Sequence, residues 1–280
     1  MKIDKILIVG MDGADWRVLD RLMAKGALRN LKTLIEEGVS GTTLSTIPPI
    51  SGPAWLSIAT GINPCKLGIF DFVFPRTPGS LHLSPLSSAE FRGKAIWDIL
   101  SHRGWYVGIV NYPMLWPPYP IKGFMVSGLG SPENRGITYP PSLKAELDDL
   151  TGGYEVMPLL FPYPGDKLFI KDLKRVLLKR ERAILALARE REWNFLFTVF
   201  SCTDLIQHYL WKYIDPNHPL HDRKKAQKYA SFFKWVFYRV DRILGMLVRI
   251  AGEEAIVVVL SDHGFQPSNG AFNLARWLEV

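Results

Sequence analysis

The sequence predicts an α/β fold with a mainly parallel central sheet and helices on both faces. Two observations carry this. Four short apolar, β-branched runs are separated by amphipathic helical stretches. Three of these runs lead directly into acidic residues. That is the pattern of a sheet that gathers a ligand at the carboxyl ends of its strands.

The elements follow in order. Lys5 to Gly10 is an apolar run closed by glycine, as in a buried parallel strand. Trp16 to Glu37 has helical patterning, with a break near Gly26 and a stop at Gly38. Pro48, Pro49, Gly52 and Pro53 punctuate a loop, and Pro53 to Ala59 opens a short helix with proline in its first turn. Tyr106 to Val110, Phe195 to Phe200 and Ala255 to Leu260 are the remaining strands. Leu168 to Arg191, Asp204 to Tyr213 and the aromatic-rich stretch from Ala226 to Ile250 are helices. Phe72 to Pro164 is rich in proline and glycine and reads as an irregular, cap-like excursion (72–164), interrupted by the Tyr106 strand. The expectation is a single domain over 1–280 with no internal repeat.

Composition narrows the classes. The 280 residues are 48% hydrophobic and 22% charged, which excludes a disordered or fibrous chain and allows a sizeable core. Cys65 and Cys202 are the two cysteines, too few for a disulfide scaffold, so a reducing compartment is expected. No run of 18 uncharged apolar residues marks a transmembrane helix, and Ile6 to Val9 is too short for a signal segment; a cytoplasmic location is the expectation. The formal charge of +7 favours anionic partners, but the basic residues are dispersed, and the densest groups, Lys171 to Arg182 and Arg223 to Lys228, fall on helices where they form solvated faces. No specific nucleic-acid module is present.

The chemistry lies after three strands. The first leads into Asp12-Gly13, the third into Asp204, and the fourth into Asp262-His263-Gly264. Asp204 and His208 stand one helical turn apart on one face, although an aspartate there could serve only as a helix cap. Asp12 alone could be a turn residue, and Asp262-His263 alone an Asx-turn with an exposed histidine. The three together give carboxylate and imidazole ligands in a mix that suits zinc and also admits manganese. Ser51, before Gly52-Pro53 at the mouth of a short helix, faces the positive helix end, a position for an anion, an activated hydroxyl or a simple cap. Other phosphate chemistries are excluded by missing residues. The position two before Asp12 is Gly10, so the loop of aspartate-nucleophile phosphatases is absent. Neither a P-loop nor a dinucleotide-binding glycine motif occurs.

Taken together, Gly10 to Gly13, Pro48 to Trp55, Thr60 to Pro64, Gly68 to Asp71, Thr203 to Trp211 and Ser261 to Gly264 resemble the type I phosphodiesterase/nucleotide pyrophosphatase family of the alkaline phosphatase superfamily. The motifs run in the family's order over nearly the whole chain. Asp215 to Pro219 is similar to its bacterial and archaeal branch. The resemblance implies an alkaline-phosphatase-like fold and two divalent metal ions, usually zinc. One is implied at Asp12, Ser51, Asp262 and His263, the other at Asp204, His208 and a third histidine. It implies that Ser51, at the position of a nucleophile that is often threonine, is metal-activated and forms a phosphoseryl intermediate on a small-molecule phosphoester. His218 and His221 read as loop residues, and His82 and His102 match no motif.

Two departures from the family pattern set further expectations. No histidine follows His263, so the second metal site would lack its last ligand. The segment from Phe272 to Val280 resembles one that leads into further chain. The chain is therefore expected to lack a C-terminal part, with a complementary C-terminal polypeptide as a partner. In addition, Asp71-Phe72 stands where many nucleotide pyrophosphatases carry a phosphate-binding asparagine, which speaks against nucleotide diesters. A sulfatase is disfavoured because Trp55 occupies the place of its arginine. The alternatives are a phosphomutase or phosphoryl-group transferase of the same superfamily, and a non-catalytic or partial enzyme that binds metal or a phosphorylated ligand.

Overall fold

The first strand, β1 (Ile6–Met11), shows how this sheet is built. Leu7, Val9 and Met11 point into one core, and Ile6 and Ile8 pack against another on the opposite face. The strand period of two thus feeds both sides, as a doubly covered parallel sheet demands. The computed structural model describes residues 4–77, 82–132, 134–158, 163–268, 270 and 272–279.

After β1 come α1 (Trp16–Ala24), α2 (Arg29–Glu37), α3 (Ser51–Thr60) and α4 (Pro64–Leu67). A small hairpin, β2 (Val73–Pro75) and β3 (Leu83–Pro85), precedes α5 (Ile96–His102), β4 (Val107–Tyr112), β5 (Gly123–Ser127), β6 (Thr138–Tyr139) and α6 (Leu143–Thr151). The chain continues through α7 (Asp166–Glu190), β7 (Phe195–Phe200), α8 (Cys202–Ile214), α9 (Arg223–Ala251), β8 (Ile256–Leu260) and α10 (Leu274–Leu278).

The main sheet has the order β6-β5-β4-β7-β1-β8. All pairings are parallel except β5 with β6, which is antiparallel. Ile6 sits opposite Phe195 on one side and Ile256 on the other. The three acid-bearing strands β7, β1 and β8 are therefore neighbours, and their carboxyl ends lie side by side.

The two faces are covered differently. One core takes Leu7, Val9 and Leu196 from the sheet, with Leu22, Phe169, Ile184, Phe237 and Leu244 from the helices. The other packs Trp55, Trp97, Tyr112 and Phe197 edge to face, with Trp97 and Tyr112 ring centroids 4.7 Å apart. The aromatic-rich α9 is a core helix, with Phe233, Val236, Phe237 and Val240 buried along one side.

The structure refines several sequence expectations. The helical stretch from Trp16 to Glu37 is two helices, because Gly26 turns with φ +68° between them. The first, α1, is capped by Asp15, which accepts from Arg17 N at 2.8 Å. The second, α2, has no cap of its own. Instead Asp241 of α9 accepts from the backbone N–H groups of Asn30 and Leu31, at 3.1 and 2.8 Å. Of the 72–164 stretch, residues 78–81, 133 and 159–162 lie outside those described, as does Val280 of the last motif. Its described part holds not one strand but three of the main sheet, β4, β5 and β6. Phe124, Met125 and Val126 of β5 are buried without alternation, so its short run carries no period to read. Among the described residues no helix is long and apolar enough to cross a membrane.

Candidate active site

The residues at the ends of β1, β7 and β8 converge on α3. Asp12 follows β1 directly and is fully buried. Ser51 is the first residue of α3, after an extended Ile50. Its hydroxyl donates to Asp12 Oδ1 at 3.3 Å and lies 3.0 Å from His263 Nε2. One hydroxyl proton thus has two acceptors within reach.

His263 and Asp262 come from the turn after β8. Nδ1 of His263 is 2.8 Å from the carbonyl of Gly264, which can only accept, so the proton sits on Nδ1. Nε2 faces Ser51, 3.7 Å from Asp12 Oδ1 and 3.4 Å from Asp262 Oδ2. Asp262 Oδ1 accepts from Gly13 N at 3.1 Å. Ser45 donates to the Asp262 carbonyl, and Ser261 donates to the carbonyl of His263 while accepting from Ala14 N. The turn is fixed from both sides.

Asp204 is the third residue of α8, not its cap; Ser201 occupies that place and makes no side-chain capping bond. Asp204 Oδ2 is 3.3 Å from Nε2 of the exposed His208, so both present one face of the helix, as their spacing predicts. That contact raises the His208 pKa. One ligand atom from each of Asp12, Asp204 and His263 can lie within 4.8 Å of the others. His218 and His221 lie in the loop between α8 and α9. His102 ends α5 with Nδ1 against the Asp98 carbonyl.

This donor set fits a divalent cation. Three carboxylates crowd together. Burial, then the charges of Asp262 and Asp204, push the Asp12 pKa well above its usual range. Burial likewise raises Asp262 to about 7. Asp204 Oδ1 and Asp262 Oδ2 are buried with no hydrogen-bond partner. Unpaired buried carboxylate oxygens beside an imidazole nitrogen are the environment a bound cation would satisfy.

Several positioning residues were not legible in the sequence. Trp55, one turn after Ser51, donates its indole N–H to Asp12 Oδ2 at 3.3 Å. Gly10 permits this approach, since a Cβ there would lie 2.5 Å from the Trp55 ring. Thr203 donates to the Asp12 carbonyl at 2.6 Å, and Gln207 donates to the Gly13 carbonyl at 2.8 Å. The i, i+4 spacing of Thr203 and Gln207 was the available signal. Arg17 and Asp15 clamp the turn after β8. Asp15 accepts from Phe265 N and from two Arg17 nitrogens, and Arg17 donates to the Phe265 carbonyl at 2.7 Å.

A cavity of about 1070 Å³ opens beside this cluster. Ser51, Asp204, His208 and His263 are part of its lining, and Phe72, Leu129, Met157, Tyr163 and Tyr209 are among its apolar and aromatic lining residues.

The family model described as type I phosphodiesterase / nucleotide pyrophosphatase matches residues 6–280. A search of curated proteins finds no match. Among solved structures, phosphonoacetate hydrolase from Sinorhizobium meliloti 1021 is similar in its complex with phosphonoacetate (TM-score 0.60, 21% identity, 96% of this chain and 58% of that one). Its complex with phosphonoformate gives TM-score 0.59 at 19% identity, over 94% of this chain and 56% of that one. A 2-O GAG sulfatase gives 0.53 at 13% identity, over 94% and 58%. The chain thus spans a little over half the length of these structures, which share its fold. The match over residues 6–280 shows that the chain belongs to the type I phosphodiesterase/nucleotide pyrophosphatase family.

Proposed function

We propose that the chain is a divalent-metal-dependent phosphoester hydrolase with Ser51 as its nucleophile. The observation that carries this is the Ser51 hydroxyl at the start of α3, set against Asp12 and His263 at the ends of two adjacent strands. Asp12, Ser51, Asp262 and His263 would hold one cation, and Asp204 and His208 would contribute to a second. Bound there, zinc or manganese would supply Lewis acidity to the nucleophile and to the phosphoryl oxygens.

The chain's own residues do the rest. The N-terminus of α3 turns its positive end toward the phosphoryl group. The Ser51 oxygen forms a bond to phosphorus as the ester oxygen leaves with its electron pair, giving a phosphoseryl ester. The hydroxyl proton has Asp12 Oδ1 as its acceptor at 3.3 Å, because the single Nε2 lone pair of His263 would be given to the cation. Water then cleaves the Ser51–phosphorus bond and restores the hydroxyl. Trp55 and Thr203 hold Asp12 in place throughout.

The test is hydrolysis of bis(p-nitrophenyl) phosphate by the zinc-loaded chain and its Ser51→Ala variant. Turnover by the parent and none by the variant supports the reading. Equal turnover by both removes Ser51 as nucleophile.

A further inference from the structure

The cavity beside Ser51 is far larger than a phosphoryl group needs. Sites for drug-sized ligands run about 300–1,000 Å³, and this one is about 1070 Å³. Tyr163 and Tyr209 of its lining pack on the fully buried ring of Phe169. Phe169 and Tyr209 stack at 4.0 Å with planes 16° apart, and Tyr163 meets them edge to face at 5.4 and 5.7 Å. The polar ends of both tyrosines are already engaged. The Tyr163 hydroxyl donates to Asp172, and the Tyr209 oxygen accepts from Tyr163 N at 3.2 Å. Both tyrosines add ring surface to the cavity lining.

Away from the Ser51 end, the described lining offers little positive charge. Among the described lining residues the one Lys or Arg is Arg17. Its guanidinium is committed to Asp15 and the Phe265 carbonyl. On the opposite side Phe265 stands 4.9 Å from the His208 ring. Beyond the Ser51 end, a second phosphoryl group would lose its hydration without finding an uncommitted Lys or Arg among the described lining residues.

We propose that this aromatic chamber selects phosphoesters whose ester group is uncharged and apolar. The inference rests on reading the Ser51 site as a phosphoester-hydrolysing one and specifies the substrate class of that site. Tyr209, one residue after His208 on α8, couples the chamber to the chemistry.

The test compares hexylphosphonate with methylphosphonate by isothermal titration calorimetry, on the chain with and without zinc. Both probes carry the same anionic head and differ only in apolar length. Hexylphosphonate is expected to bind at least tenfold tighter, about 1.4 kcal/mol, with the ratio reduced in Tyr209→Ala. If that variant does not fold, Leu205→Ala on the same lining carries the test. Equal affinities, no binding of either probe, or a ratio unchanged in the folded variants overturns the inference. Hydrolysis of bis(p-nitrophenyl) phosphate is measured in parallel. Turnover with equal affinities removes the chamber and leaves the hydrolase, whereas a tenfold preference without turnover removes the hydrolase and leaves the chamber.

Discussion

The hydroxyl of Ser51 lies 3.0 Å from Nε2 of His263, although 212 residues separate them. The contact exists because α3 starts over the carboxyl ends of β1 and β8, and because the His263 proton is drawn to the Gly264 carbonyl. On the proposed reading Ser51 is a sensitive position for chemistry and an insensitive one for folding. Ser51→Ala removes a small group at a helix start where Ile50, not Ser51, is the cap. We expect loss of phosphodiester hydrolysis by roughly three orders of magnitude or more, with a melting temperature close to the parent's. Ser51→Thr keeps a hydroxyl and is expected to retain measurable turnover.

The acid cluster gives the metal-free chain an inverted pH dependence. Burial raises the Asp262 pKa from 3.8 to about 7, and Asp12 moves in the same direction. Between about pH 4 and pH 7 the unfolded chain gives up the Asp262 proton while the folded chain holds it, so stability falls as pH rises, and Asp12 acts in the same direction. Below that window both states are protonated and the stability is fully present. Zinc is expected to reverse the trend, because in the proposed site it would bind the ionised carboxylates that only the folded chain assembles. Urea unfolding at pH 5 and pH 8, in EDTA and in zinc, checks both signs. Greater stability at pH 8 in EDTA would contradict the cluster's electrostatics.

Gly13 is fixed by the site and not by the turn alone. Its φ is +63°, and a Cβ would meet Asp204 Oδ1 at 2.9 Å. Gly13→Ala is expected to cost about 1–3 kcal/mol from backbone strain and to weaken zinc binding roughly tenfold or more by displacing a ligand. Thermal unfolding and a zinc titration read the two effects separately. Unchanged zinc affinity would place Asp204 outside the metal site.

Asp241 supplies the control from the opposite end of the fold. It is buried on α9 and accepts from two backbone N–H groups at the start of α2 and from the Asn30 side chain at 2.8 Å. Asp241→Ala leaves these donors buried and unpaired, with an expected loss of about 3 kcal/mol. It touches no residue of the site, so the zinc stoichiometry of the folded variant should equal the parent's.

Which parts of this molecule could be read from its sequence follows from what each part needs. Strands β1, β7 and β8 are apolar runs that end in Asp12, the Asp204 helix and Asp262-His263, so strand, turn and acid are contiguous and legible. Ser51 was legible because Gly52 and Pro53 mark the helix start. Strands β5 and β6 were not, since five and two residues without alternation carry no period. The cap on α2 was invisible because it comes from Asp241, about 210 residues downstream. Likewise Tyr163, Phe169 and Tyr209 come from a loop and two helices and meet only when α7 and α8 pack.

The central claim is that Asp12, Ser51, Asp204, His208, Asp262 and His263 form a site for divalent metal. The most direct measurement is the metal content of the purified chain by elemental mass spectrometry, after dialysis against zinc and then against metal-free buffer, beside an Asp12→Asn variant. The account predicts at least one zinc retained per parent chain and a clear loss in the variant. A parent chain that retains no zinc, or a variant that retains as much as the parent, would contradict it.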